Sequence, residues 1–421
     1  MVWRDDGRIN VDRINMTPQD GPRRLTSVEV AGRLGIKVET LYAYVSRGRI
    51  SCTRTQEGSL FDPLEVEAFA ARNRPRPLRR HGASTARPLM VLDTDLALVE
   101  DDELYLRGQS ASDLARTSTV ERVAAWIWHG DWEAPLSSPP TTDLAQVATL
   151  LASLPAGADR IDQLQAAAIG LGTTDPGRDE ISQGALQRAG ARFLHGVPRL
   201  LGDPFTPGVE TRSVAETLWL ALTPHPPRPE HVRAVDAALI LTIDHDLAIS
   251  TFAGRIAASG RASGYAVLSA ALGAFASPLH GSISVTTVQL LRSVLDGAAP
   301  EDALRTAVRS SAARLPGFGH FLYADGDSRA TTLLELIPDL PHGAEVTAAV
   351  TDLTEVVNRR SSQHPNIDLA LAALVLAAGM HEGDGPLLFG LGRSVGWIAH
   401  GLAEQTERPL RLRPQGRYTG P

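Results

Sequence analysis

The chain has 421 residues, 43% of them hydrophobic, with 41 Lys+Arg against 48 Asp+Glu and a formal net charge of -7. That length predicts two or three domains, each able to bury a core. The absence of any run of eighteen apolar residues excludes a transmembrane helix, and the acid-bearing start MVWRDDGRIN does not read as a secretory signal. Cys52 is the single cysteine, which excludes an internal disulfide and a cysteine-based metal cluster and suits a reducing cytoplasm.

The net charge hides an asymmetry. Residues 1–90 hold 16 Lys+Arg and 10 Asp+Glu, a balance of +6, so the remainder carries -13. A basic head on an acidic body fits two partners of different kind; an ordinary solvated surface accounts for the charge alone as well. Lys37 is the only lysine, which reads as codon bias and not as chemistry.

Residues 1–24 lack apolar periodicity and read as a flexible N-terminus. Thr26, with Glu29 three positions on, makes a capping box that opens a helix whose Val28, Ala31 and Leu34 are predicted to face inward. Gly35 breaks it, and a second helix follows from Val38 to Arg47 with Leu41 and Val45 inward. RGRISCTRTQEGSLF alternates like a two-stranded wing. Asp62 caps a third helix, and Pro63 takes its first position. These elements predict a small domain over 25–74. The Pro- and Arg-rich RNRPRPLRRHG predicts a linker at 75–86. A short β segment is expected in PLMVLDTDLALVEDDELYLRG, and from Ser112 onward the pattern is overwhelmingly helical. Buried strands do not alternate with helices, so a doubly wound sheet is excluded.

Helix, glycine turn, helix, wing and helix form the order of a winged helix-turn-helix, and LTSVEVAGRLGIKVETLYAYVSRGRI resembles the MerR-like and excisionase-like group. The resemblance implies duplex DNA as a partner. Lys37, Thr40 and Tyr42, with Glu39 beside them, would enter the major groove, while Arg47, Arg49 and Arg54 would sit on phosphates. A three-helix module for dimer contacts or partner docking has the same pattern.

In the body, ILTIDHDLAISTFAGRIAASG places Asp244, His245 and Asp246 within an apolar helix, where charge is costly unless paired or used. SPLHGSISV brackets His280 with Pro278 and Gly281. PGFGHFLYADGDSRA sets His320 on a glycine turn nine residues before Arg329, and HPNIDLALAALVLAAG puts Asp368 at the mouth of an apolar helix. Taken singly, each has a bland reading: a hydrogen-bonded core histidine, a helix cap, a solvated arginine.

Taken in order, with LYLRGQSASDLA, VAAWIWHGDW, GRSVGWIAHG and LRPQGRYTG, these segments resemble the citrate synthase family from about Pro88 to the C-terminus. The pairing with the head resembles a bacterial branch that carries an N-terminal helix-turn-helix. The fold expected is therefore mainly α: a large domain over 87–281 and 383–421, a small domain over 282–382, and His280 at the hinge. The resemblance implies Asp368 as the base on an acyl-CoA, His280 on the thioester carbonyl and His320 on the ketone of oxaloacetate. His245, Arg329 and Arg393 would bind the carboxylates, with Arg413 reaching in from the second subunit of a homodimer. It further implies no metal and no cofactor beyond acetyl- or propionyl-CoA as substrate, and a cytoplasmic location without membrane contact.

Several positions depart from the family's pattern, among them Ile283 and Ser284 near the thioester, Ala324 where relatives often carry a cation for CoA phosphates, and Leu369 in place of an aromatic ring beside the base. A second reading follows from them, a DNA-binding regulator whose body senses a carboxylate or acyl-CoA with little turnover. The sequence does not choose between acetyl- and propionyl-CoA.

Overall fold

The computed structural model describes residues 24–55, 58–72, 91–202, 208, 211–277, 280–281, 283–310 and 315–420. The expected linker 75–86, and all of 1–24 except Arg24, lie outside these residues. In chain order the elements begin with β1 (Leu25–Thr26), α1 (Ser27–Leu34), α2 (Val38–Ser46), β2 (Thr53–Thr55), β3 (Gly58–Phe61) and α3 (Pro63–Arg72). A hairpin and a short strand follow: β4 (Ala97–Glu100), β5 (Glu103–Leu106) and β6 (Gln109–Ser110). The next helices are α4 (Ala111–Thr117), α5 (Val120–His129), α6 (Thr141–Ala152), α7 (Arg160–Thr173), α8 (Gln183–Leu201), α9 (Val214–Leu222) and α10 (Pro229–Leu241). Then come α11 (Ile249–Ser259), α12 (Gly264–Phe275), α13 (Ile283–Leu295) and α14 (Pro300–Ser310). The last four are α15 (Ser328–Leu334), α16 (Gly343–Arg360), α17 (Ile367–Ala377) and α18 (Asp384–Thr406).

The head is built as its caps dictate. The Glu29 carboxylate accepts the Thr26 N–H at 2.7 Å while Thr26 Oγ1 accepts the Glu29 N–H at 3.4 Å, which starts α1. Gly35, at φ +66°, ends it. The wing forms an antiparallel sheet in the order β1-β3-β2. Val30, Leu41, Ile50, Phe61 and Phe69 make the head's own small core. The inward face of α1 differs from the expected one. Val30 and Ala31 are buried, whereas Val28 is 73% exposed. At 3.6 residues per turn Val28 stands about 115° round the helix from the centre of the Val30, Ala31 and Leu34 stripe.

In the body, α10, α17 and α18 are apolar nearly all round and buried accordingly. Gly392 and Gly396 let α18 lie flat against the end of α10: a Cβ at Gly392 would run into Thr242 and the Leu239 carbonyl, and one at Gly396 into the Ile243 carbonyl. The expected β segment is the sheet β4-β5-β6, with Asp101 and Asp102 at φ +49° and +62° in the hairpin turn.

A second correction concerns Asp244-His245-Asp246. They do not lie inside a helix; α10 ends at Leu241 and α11 begins at Ile249. The break avoids burying three ionisable groups in a row. Asp246 takes φ +57° and turns out to solvent, while Asp244 and His245 stay buried.

Candidate active site

The His320 loop and the Asp368 helix are sewn together by backbone. Gly317 and Gly319 adopt φ +79° and +72°. The Gly319 N–H donates to the His364 carbonyl at 2.8 Å, and the Asn366 N–H to the Gly317 carbonyl at 2.9 Å. A Cβ at Gly317 would lie 2.8 Å from Thr287 and 3.1 Å from Leu369. Asn366 then caps α17: its Oδ1 accepts the Asp368 N–H at 3.0 Å, and its side-chain amide donates to the Gly319 carbonyl at 3.2 Å. One asparagine therefore fixes the distance between the loop of His320 and the first turn bearing Asp368.

The protonation states follow from the partners. The Leu322 N–H donates to His320 Nδ1 at 3.1 Å. A backbone N–H cannot accept, so the ring proton sits on Nε2. Burial, with Arg329 next, lowers His320 to about 4, so it is a neutral donor at pH 7. The His245 ring stands edge-on to it at 4.6 Å. Burial first, then Arg329, holds His245 well below the usual imidazole range, and its Nε2 is buried with no hydrogen-bond partner among the described residues. Burial, followed by Arg393, brings His280 down to about 4 as well. Its Nε2 lies 2.8 Å from Ser250 Oγ, which takes the Trp397 indole N–H at 3.3 Å. With one lone pair of Ser250 so filled, its hydroxyl can still give its hydrogen to Nε2, an arrangement that puts the His280 proton on Nδ1.

Asp368 has the opposite sign. It keeps part of its surface open, yet burial raises it to about 6 against the pull of the Arg329 and Arg393 guanidiniums, with Asp327 adding to the rise. Burial thus outweighs both cations and the positive end of α17. Its carboxylate makes no hydrogen bond among the described residues.

The two arginines are held differently. Arg329 is paired bidentately with Asp327, Nε to Oδ1 at 2.9 Å and Nη2 to Oδ2 at 2.8 Å, and its guanidinium lies over Tyr323 at 5.0 Å. Asp327 also accepts the Ile367 N–H at 3.1 Å, tying Arg329 to the start of α17. Arg393 gives only Nε, at 2.6 Å to the Thr242 carbonyl, with its guanidinium 4.9 Å over Phe389. Burial lowers it to about 10, still a cation at neutral pH. Nη1 and Nη2 of Arg393, and Nη1 of Arg329, are without hydrogen bonds among the described residues, a fork ready for a carboxylate.

His245, His280, His320, Arg329, Arg393 and Asp368 therefore share one electrostatic site. Arg413 is not brought to it within this chain; it is exposed in the C-terminal segment. Lys37, Thr40, Tyr42, Arg47 and Arg49 are exposed on and just beyond α2, with Tyr42 Oη 2.9 Å from Ser27 Oγ. Among the described residues no group of His, Cys, Asp and Glu could hold a metal. Sequence reasoning missed the holders: Asp327, Asn366 and Ser250, together with Asp102, whose carboxylate accepts the Ala324 and Asp325 N–H groups at 2.5 and 3.1 Å. Asp327 and Asn366 each precede a helix by one position, which is the signal that could have marked them.

A sequence model described as "Citrate synthase, C-terminal domain" matches residues 85–415. The chain is 26% identical to citrate synthase 2 of Bacillus subtilis over 355 residues, covering 78% of this chain and 93% of that one. It is 26% identical to 2-methylcitrate synthase 2 of Corynebacterium glutamicum over 352 residues, covering 76% and 90%. A ternary complex of citrate synthase from Thermoplasma acidophilum with carboxymethyl coenzyme A and oxaloacetate shares the fold, with a TM-score of 0.62 at 22% identity over 79% of this chain and 94% of that one. Citrate synthase from Pyrobaculum aerophilum superposes with a TM-score of 0.64 at 20% identity over 88% and 95%. With a matched segment that spans every residue of the histidine, arginine and aspartate site, the chain belongs to the citrate synthase family.

Proposed function

We propose that the chain condenses the methyl or methylene carbon next to an acyl-CoA thioester with the ketone of oxaloacetate, giving citrate or 2-methylcitrate and free CoA. The observation that carries this is the pairing of two neutral imidazole donors, His280 and His320, with one unpartnered carboxylate, Asp368, raised to about 6. Asp368 removes the α-proton, and the Nδ1–H of His280 stabilises the enol oxygen that forms. The enol carbon attacks the ketone carbon of oxaloacetate. The new C–C bond shifts the carbonyl π electrons to oxygen, which takes its proton from Nε2 of His320. Water then cleaves the thioester, releasing CoA. Arg393 and Arg329 bind the carboxylates through their free Nη groups, and the orphaned Nε2 of His245 is a further ligand contact. The reaction needs no metal and no cofactor beyond the acyl-CoA substrate.

The arrangement of parts is assigned on the same basis: a large domain over 87–281 and 383–421, a small one over 282–382, and His280 at the hinge. A homodimer would bring Arg413 to its partner's site. The exposed Arg413, useless to its own site, supports that reading. Residues 25–72 we assign as a winged helix-turn-helix that contacts duplex DNA in the cytoplasm, supported by the α1–Gly35–α2 turn, the antiparallel wing and the exposure of Lys37, Thr40, Tyr42, Arg47 and Arg49.

A thiol-release assay with oxaloacetate and either acetyl- or propionyl-CoA tests the condensation, with turnover expected for one or both. No thiol release with either would overturn it. Fluorescence anisotropy on DNA from the protein's own upstream region, at two salt concentrations, tests the head. Binding that weakens steeply with salt is expected, and Arg47→Ala with Arg49→Ala should weaken it on all sequences. No binding at low salt would assign the head to docking.

A further inference from the structure

The head is fastened to one helix of the segment that carries the catalytic groups. Asp62 caps α3 by accepting the Leu64 N–H on Oδ1 at 2.9 Å. Its other oxygen, Oδ2, accepts Arg305 Nη2 of α14 at 3.3 Å. Arg305 is itself held by Asp302, one turn back, through Nη1 at 2.9 Å. From α1, Arg33 Nη2 donates to the Val308 carbonyl, also on α14. The apolar side is closed by Leu64, 5% exposed, which joins the body's core and not the head's. The Arg305 and Asp62 side chains are 21% and 29% exposed, so the pair is partly shielded from water and salt.

What α14 leads into matters more than the contact itself. It ends at Ser310, and ten residues later the chain reaches His320. That loop is bonded by backbone to Asn366, the cap of the Asp368 helix. α14 packs on α13 and α16, and both pack on α17, so a mechanical path runs from α3 through α14 to the helix of Asp368 and, by its cap Asn366, to the His320 loop. Meanwhile Lys37, Thr40, Tyr42, Arg47 and Arg49 of the head stay exposed.

We propose that the Asp62–Arg305 and Arg33–Val308 contacts make the head and the segment bearing His320, Arg329 and Asp368 one moving body, so that ligand binding at the site repositions the head. The ligand half rests on the assignment of oxaloacetate to this site. In a dimer the motion changes the spacing between the two exposed α2 helices. Thermodynamic reciprocity then requires that a duplex fixing that spacing change the affinity for oxaloacetate by the same factor. The pair Asp62–Arg305 is the transmitting contact; it touches neither ligand.

Amide hydrogen exchange on the full chain tests this with three proteins: the wild type, Arg305→Gln, and Asp62→Asn, whose asparagine still caps α3. Without ligand, Arg305→Gln is expected to speed exchange about tenfold or more both in α3 and in residues 315–322, with α5 and α8 unchanged. Asp62→Asn should speed the same two regions, and the unchanged α5 and α8 separate the contact from a general folding defect. Faster exchange confined to α3 would overturn the proposal, because the head would then be a passenger. With oxaloacetate added to the wild type, slower exchange is expected at 315–322 and in α3 together. Protection at 315–322 with none in α3 also overturns it. If oxaloacetate protects neither region, the substrate assignment fails, and the ligand-free comparison still decides the coupling.

Discussion

Asp368 and the histidines around it are shifted in opposite senses by one cause. Burial penalises whichever form is charged, so the carboxyl rises to about 6 while His280 and His320 fall to about 4. A base must be ionised to act, so turnover should fall as pH drops through about 6, with the two neutral donors intact down to about 4. A pH profile of kcat/KM checks this. Asp368→Asn should cut turnover by at least about a hundredfold in the thiol-release assay. The same change should stabilise the fold. The folded pKa of Asp368 lies above the ordinary aspartate value, so its stabilising contribution is present at low pH and is lost as pH rises through about 6. At pH 7.5 the asparagine variant should melt about 1–3 °C higher in a thermal scan. Asp327 is the other decisive residue. It holds Arg329 by two hydrogen bonds and α17 by a third. Asp327→Asn should raise the KM for oxaloacetate at least about tenfold and lower the melting temperature, since opening a buried ion pair costs about 3–5 kcal/mol.

At the scale of elements, the site depends on how closely helices approach. Arg393 reaches the Thr242 carbonyl because Gly392 and Gly396 let α18 touch the end of α10. Gly396→Ala places a methyl group against the Ile243 carbonyl, and the helices must separate. Overpacking of this kind costs about 1–3 kcal/mol. Chemical denaturation should show that loss, and oxaloacetate affinity should fall with it, because Arg393 and Asp244–His245 would shift apart. The loop beyond His320 is anchored differently, by the β4–β5 hairpin through Asp102 on the Ala324 and Asp325 N–H groups. Ala324 itself is exposed. Ala324→Lys should tighten CoA binding about tenfold, as one charge-assisted hydrogen bond is worth about 1.5–3 kcal/mol. Calorimetry with CoA measures it.

For the whole molecule, the same buried groups predict an acid-sensitive fold. His280 and His320 have folded pKa values depressed to about 4, so the stability they confer is complete above the ordinary imidazole value and is lost as pH falls towards about 4. Asp368 acts in the opposite sense over part of that window, but His245 is depressed as well, so melting temperatures measured between pH 7 and pH 4 should still decline. His320→Gln should flatten the decline by removing one of these buried imidazoles.

Much of this was legible in the sequence for local reasons. The Thr26–Glu29 box, the Gly35 stop, the Asp62–Pro63 start and the apolar α17 are each decided by residues within one or two turns of one another. The segments around His280, His320, Arg329, Arg393 and Asp368, in their order, resembled the citrate synthase family, and that resemblance implied a base, two donors and carboxylate clamps. Tertiary structure decided the rest. It broke the helix expected through Asp244-His245-Asp246, because a continuous apolar helix would have buried three ionisable groups. It turned Val28 outward, because the head's core offers only one stripe of α1 a partner. It also chose the protonation states, since the His320 tautomer hangs on the Leu322 N–H and the Asp368 shift on burial beside two arginines. A sequence carries the identity of an ionisable group, but its charge at a given pH is set by what surrounds it, and at this site that is assembled from segments spread from His245 to Arg393.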